Sequence, residues 1–106
     1  MKRILLCCGA GFSSGLLAQK GRKAAKKRGI NATVDAKSES LVSGCLNQVD
    51  VLLLGPHYAN RLDEFIKIAK PYNVPVAVIP NDIYGLLDGE ALLDFALRMC
   101  EENKLK

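Results

Sequence analysis

Cysteine 8 ends an apolar run, Ile4-Leu5-Leu6-Cys7, and opens a stretch of small residues, Gly9-Ala10-Gly11-Phe12-Ser13-Ser14-Gly15. A helical pattern begins inside that stretch. Strand, short loop and helix N-terminus, in that order, make an anion site: the first amides of a helix lack intrahelical acceptors, and the helix dipole favours negative charge there. The same setting lowers the pKa of a thiol, so Cys8 is the candidate nucleophile. Gly9, Ala10 and Gly11 let the backbone curl around a phosphoryl group. Phe12, Ser13, Ser14 and Gly15 complete the loop, with the two serines adding hydroxyl donors and an N-cap. The chemistry is thiolate attack on phosphorus, with loop amides holding the equatorial charge. Strand alternation turns Cys7 away from Cys8, which makes Cys7 a core residue.

Three other loops share parts of this pattern. A Walker A loop needs Lys and then Ser or Thr after its last Gly, and here Gly15 is followed by Leu16. A dinucleotide fingerprint needs a third Gly where Ser14 stands, although Asp35 falls near the position of a ribose-binding acid. A small tyrosine phosphatase closes its loop with Arg six positions after the Cys; that position is Ser14. The missing guanidinium would have clamped two phosphate oxygens, and Asp82 is the remaining candidate for a general acid. A small cysteine-dependent phosphatase and a non-catalytic phosphate-binding module stay open as alternatives.

The elements that must position Cys8 follow from hydrophobic periodicity. Lys2–Cys7 reads as a buried strand, and residues 13–28 as a helix with Leu16, Leu17, Gly21, Ala24 and Ala25 on one face, capped by Gly29. Residues 30–36 alternate as an edge strand, and 38–46 read as a short helical turn capped by Ser38 or Ser40. Residues 49–54 form a strand closed by Gly55-Pro56. Residues 58–70 read as a helix with Leu62, Phe65, Ile66 and Ala69 inward and Pro71 as its stop. Residues 74–79 form the fourth strand and 81–89 a loop. A last helix carries Leu92, Leu93, Ala96, Leu97 and Cys100 inward, and 101–106 is a frayed polar tail. This order predicts an α/β domain spanning 1–106: a four-stranded parallel sheet in the order 2-1-3-4 with helices on both faces. The switch point between strands 1 and 3 then brings Cys8, His57 and Asp82 to one rim.

Composition bounds the rest. The chain has 106 residues, 49% hydrophobic and 25% charged, with no Trp and a net charge of +4, which suits one small globular domain. No apolar run reaches membrane-spanning length and no secretory signal is present, so a cytoplasmic location is expected. Cys7, Cys8, Cys45 and Cys100 form no C-x-x-C pair and His57 is the single histidine, so neither a metal nor any other cofactor is expected. Lys20, Arg22, Lys23, Lys26, Lys27 and Arg28 crowd one segment. They read as a solvated helix face or a docking surface for an acidic or phosphorylated partner; without interleaved aromatics, nucleic acid is not expected.

The segments Ile4–Ser14, Asp50-Val51-Leu52-Leu53-Leu54-Gly55-Pro56 and Asp82-Ile83-Tyr84-Gly85, followed by Asp88-Gly89, resemble the IIB component of the lactose/cellobiose/chitobiose class of the bacterial sugar phosphotransferase system. The resemblance implies a fold like that of low-molecular-weight tyrosine phosphatases and the activity of a protein-Nπ-phosphohistidine–sugar phosphotransferase. A IIA protein phosphorylated on histidine would pass its phosphoryl group to Cys8, and Cys8 would pass it to a β-linked disaccharide held by the membrane IIC permease. The carrier would act as a monomer in the bacterial cytoplasm, meeting IIC transiently at the inner face of the membrane without inserting. The family loop commonly reads Cys-Ser-Ala-Gly-Met-Ser-Thr-Ser. Here Gly9 replaces Ser, Phe12 Met, Ser14 Thr and Gly15 Ser, which removes two hydroxyls and leaves the backbone amides. His57 stands where Gln is frequent. Phe12 and Tyr84, with the basic helix, are the expected docking rim for IIA and IIC.

Overall fold

The computed structural model describes residues 2–7 and 12–104, with the backbone alone for 12–14 and 103–104. Strands β1 (Lys2–Cys7), β2 (Ala32–Lys37), β3 (Val51–Leu54) and β4 (Val76–Val78) form a parallel sheet in the order β2-β1-β3-β4. This is the topology that the alternation of elements predicts. The helices are α1 (Phe12–Lys27), α2 (Glu39–Cys45), α3 (Leu62–Ala69), α4 (Asn81–Leu86) and α5 (Gly89–Lys104), with 3-10 turns at Leu46–Gln48, Pro56–Arg61 and Lys70–Tyr72.

Period-two alternation divides the core into two layers. Ile4 and Leu6 of β1 and Val51 and Leu53 of β3 pack with Leu17, Ala24 and Ala25 of α1 and Leu92, Leu93 and Ala96 of α5. Leu5 and Cys7, with Leu52 and Leu54, pack on the other face with Val42 of α2 and Phe65 and Ala69 of α3. Register places Leu6 of the inner strand beside Ala36 of β2 and Leu53 of β3. Cys7 is fully buried, as its place in the alternation requires.

Two caps and one close contact shape the α1/α5 layer. Gly29 adopts φ +67°, and the bonds Gly29 N–H to Lys26 O and Ile30 N–H to Ala25 O close α1 in a Schellman motif. At the start of α5, a Cβ on Gly89 would lie 2.4 Å from the backbone of Lys20 on α1. Only a residue without a side chain lets the two helices approach so closely. Gly89→Ala is therefore expected to destabilise the protein by about 1–3 kcal/mol, since the obstacle is backbone; a urea unfolding midpoint equal to that of the parent chain would contradict this.

Several boundaries differ from the sequence reading. Residues 81–86 are helical (α4) rather than loop; six residues are too few for a 3.6-residue period to register. Helix α4 ends at Leu87, which takes φ +52°; Asp88 N–H bonds Ile83 O across the reversal. The strained leucine is held by packing of its side chain against the core. Residues 101–104 continue α5 instead of fraying. The segment 58–70 divides into a 3-10 turn through Arg61 and α3, and Pro71 lies within the next 3-10 turn, Lys70–Tyr72. Ile66 is 42% exposed rather than inward, because α3 packs against the edge strand β4 and its flank stays open. Ser38 does occupy the N-cap position of α2, without a capping side-chain bond; its Oγ lies 3.2 Å from Ser40 Oγ.

Candidate functional site

The C-terminal ends of three neighbouring strands are tied together. Gly55 N–H donates to Cys7 O at 3.0 Å, and Ile79 N–H donates to Leu54 O at 2.8 Å. Parallel strands all present this end to the same side, and ligands of open α/β sheets gather there, where the strand order reverses. Between the buried end of β1 and the first residue of α1 run four residues, Cys8, Gly9, Ala10 and Gly11, which lie outside the described residues, as do the side chains of Phe12, Ser13 and Ser14. What is described frames them. Cys7 is held in the core, and α1 begins at Phe12 with no acidic residue in its first turn, so Phe12, Ser13, Ser14 and Gly15, expected to complete the loop with a serine as N-cap, lie within the helix. The amides of that turn have no acceptor within the helix. Gly15, half-buried in α1, has open space where a Cβ would stand among the described residues.

The rim residues come from the turns after β3 and β4. His57 is exposed in the 3-10 turn Pro56–Arg61, and its ring lies over Gly55, where a Cβ would meet His57 Cε1 at 2.7 Å. The His57 and Tyr84 rings meet edge to face, with centroids 6.2 Å apart. His57 and Tyr84, each expected on the rim, are thus in contact. Asp82 sits exposed in the first turn of α4.

Beside this rim lies a cluster absent from the sequence reading. Tyr58 is 7% exposed, and its ring meets His57 at 4.8 Å and Phe65 at 5.7 Å between centroids. The Arg61 guanidinium lies 5.6 Å from the Tyr58 ring and 5.5 Å from the Phe65 ring, a cation–π arrangement. Arg61 also pairs with Glu39 and, at 3.0 Å, with Glu64. The Tyr58 hydroxyl donates to Glu39 Oε2 at 3.4 Å. Arg61, Glu64 and Phe65 at spacings of three and four were the available signal; Glu39, on another element, had none. This cluster lines a groove of about 790 Å³ between α2 and α3. It braces the turn that carries His57.

The network is written into proton affinities. The hydrogen bond from Arg61 holds the Glu39 carboxyl below the usual carboxylate range. Burial pushes the Tyr58 phenol above its ordinary value, with Cys7 and Glu39 adding to the shift. Glu39 therefore contributes stability above the unfolded carboxylate pKa and loses it as pH falls through its folded value; Tyr58 contributes below the unfolded phenol pKa and loses it as pH rises through its folded value. A spectrophotometric titration is expected to show a tyrosine step above the ordinary phenol range. Tyr58→Phe should remove that late step, and a titration in which it persists would assign it elsewhere.

Comparison with known proteins narrows the chemistry. A family model described as "PTS system, Lactose/Cellobiose specific IIB subunit" matches residues 3–95. The chain is 33% identical over 99 residues to the oligo-beta-mannoside-specific EIIB component of Bacillus subtilis, covering 93% of this chain and 96% of that protein. The solution structure of a cellobiose-specific phosphotransferase IIB component from Borrelia burgdorferi superimposes with a TM-score of 0.80 at 35% identity, over 96% of this chain and 94% of that one. The low-molecular-weight tyrosine phosphatase fold of YwlE from Bacillus subtilis is also similar, with a TM-score of 0.53 at 12% identity over 98% and 99% of the two chains, a likeness of fold alone.

Proposed function

This chain belongs to the lactose/cellobiose-specific IIB family of the sugar phosphotransferase system, and we propose that within it Cys8 is the phosphoryl carrier. The Cys8 thiolate attacks the phosphoryl group presented on a phosphohistidine of IIA; the P–N bond breaks as the P–S bond forms, and the imidazole leaves. In the second step a sugar hydroxyl in the membrane IIC permease attacks the same phosphorus, and the thiolate leaves. The amides from Gly9 to Ser14 take the equatorial charge in both steps. The observation that carries this reading is the four-residue passage from the end of β1 to the start of a sixteen-residue helix, with Cys8 its first residue. A thiol there is favoured as thiolate by the helix N-terminus.

Holding a phosphoryl group is a different task from hydrolysing it. Ser14 stands where a hydrolytic loop places Arg, so nothing in that sequence position clamps the transferring oxygens for attack by water. The substrate is a β-linked disaccharide or short β-glycoside of the cellobiose, chitobiose or lactose type, with the choice residing in IIC. The chain works as a cytoplasmic monomer of one domain. Incubation with phosphorylated IIA tests the reading: mass spectrometry should locate one phosphoryl group on Cys8, lost on mild treatment that leaves phosphoserine intact. Phosphate release from an aryl phosphate without any partner, and no stable phosphoprotein, would instead favour the phosphatase alternative.

A further inference from the structure

We propose that the exposed face of α1, together with Leu16 and Leu86, is a peripheral docking surface for an anionic lipid bilayer. From residue 19 to 27 every exposed position of α1 is Lys or Arg except Gln19: Lys20, Arg22, Lys23, Lys26 and Lys27. Helical spacing sets these on the arc opposite the buried Leu17, Ala18, Ala24 and Ala25. Helix α1 carries no acidic residue. Among the described ion pairs, Arg28, just past its end, is the member of this basic segment that is engaged, with Asp94 at 2.9 Å. Lys20, Lys23 and Lys27 form one wall of a groove of about 410 Å³, opposite Leu86, Asp88 and Glu90. The Asp88 carboxylate accepts the Ala91 N–H at 3.0 Å, so its charge is partly committed to the start of α5. Leu86 stands 79% exposed at the groove edge, and Leu16, expected on the inward face of α1, is instead 43% exposed one turn before Lys20 on the basic face, because the 3.6-residue period turns it away from Leu17.

Charge type and apolar tips select a bilayer over a protein partner. Protein interfaces favour Arg and aromatics and deplete Lys; this face carries four lysines and one arginine between 19 and 27, and no aromatic side chain lines the groove. A lipid surface requires no geometric match. Flexible Lys stems reach any anionic headgroup within a Debye length, while an exposed leucine enters the headgroup–acyl boundary. Among the described residues no helix is long and apolar enough to cross a membrane, so the contact lies on the surface. Its use rests on the carrier reading, since a carrier that must find a membrane permease gains from two-dimensional search; the binding itself does not depend on that reading.

Flotation with phosphatidylcholine vesicles, with and without phosphatidylglycerol, tests the surface. The chain is expected to float with the anionic vesicles alone and to be released by salt. A triple variant Lys20→Gln, Lys23→Gln, Lys27→Gln should partition about 100-fold more weakly, at roughly fivefold per lysine. Leu86→Ser should weaken it about tenfold at unchanged charge. All four side chains are exposed, so these variants fold. Equal binding to neutral vesicles, no binding to either, or an unaffected triple variant would overturn the proposal. So would slower phosphoryl uptake from IIA by the triple variant without any vesicle binding, which would give the face to a protein partner. Vesicle binding by a chain that accepts no phosphoryl group would sink the carrier reading and leave this surface standing.

Discussion

A Cys8→Ser chain is expected to accept phosphoryl groups from phosphorylated IIA at least about 1,000-fold more slowly than the parent, with an unchanged unfolding midpoint. The size follows from ionisation. A thiol with an ordinary pKa near 8.5 is already a few per cent thiolate at neutral pH, and a helix N-terminus raises that fraction. A serine hydroxyl at the same place stays protonated and would need a general base. His57 is the nearest rim candidate by sequence position, and its ring is engaged over Gly55 and against Tyr84. Loss of a nucleophile that has no substitute costs orders of magnitude in rate, not a few-fold.

Cys7→Ala is the matching control. Cys7 is 0% exposed within the layer that also holds Leu5, Leu52 and Leu54. Its truncation should lower stability by about 1–2 kcal/mol and leave acceptance intact. Quench-flow phosphorylation with both variants separates the roles. If Cys8→Ser still accepts at a comparable rate, or if Cys7→Ala does not accept at all, the assignment of the nucleophile is wrong.

The sheet was legible because it rests on local rules. Leu52, Leu53 and Leu54 form an unbroken apolar run that only a strand buried on both faces explains, and parallel pairing with right-handed crossovers then left little freedom in the order. That order places His57 and Asp82 at the strand ends beside Cys8, whereas Tyr84 enters the rim through the family resemblance. What escaped the sequence depends on contacts between elements. Arg61 is one more charge on an amphipathic segment in the sequence; its place between the Tyr58 and Phe65 rings, with Glu39 of α2 as counter-ion, needs the packed fold. Helix α4 was missed for another reason. Its six residues include Gly85, and its closure relies on Leu87 in a conformation that leucine seldom adopts. The basic segment was readable as a solvated face, but Leu86, remote in sequence, joins Lys20, Lys23 and Lys27 only in the packed fold.

Leu6→Ala should produce the largest loss of stability of any single truncation near the site, about 3–5 kcal/mol, where whole domains of this size are worth only about 5–15 kcal/mol. Leu6 is 0% exposed on the strand flanked by β2 and β3, and packs in the layer with Leu17 and Leu92. Truncation costs most where the surroundings cannot close on the cavity. Closure is blocked here: Gly89 already touches the backbone of α1, and a Cβ on Gly21 would stand 3.4 Å from Val34 and Leu92. The helices cannot move inward, so the volume stays open. At roughly 4–8 °C per kcal/mol, the melting temperature should fall by about 12–40 °C, with the urea m-value unchanged. Ile68→Ala on α3 gives the contrast: at 42% exposure it should cost less than about 1 kcal/mol. Comparable losses for the two variants would mean that the α1/α5 layer yields more than its glycine contacts allow. The functional consequence separates support from chemistry. Below its lowered melting temperature Leu6→Ala should still accept a phosphoryl group on Cys8, because Leu6 supports the end of β1 without reaching the reacting atoms.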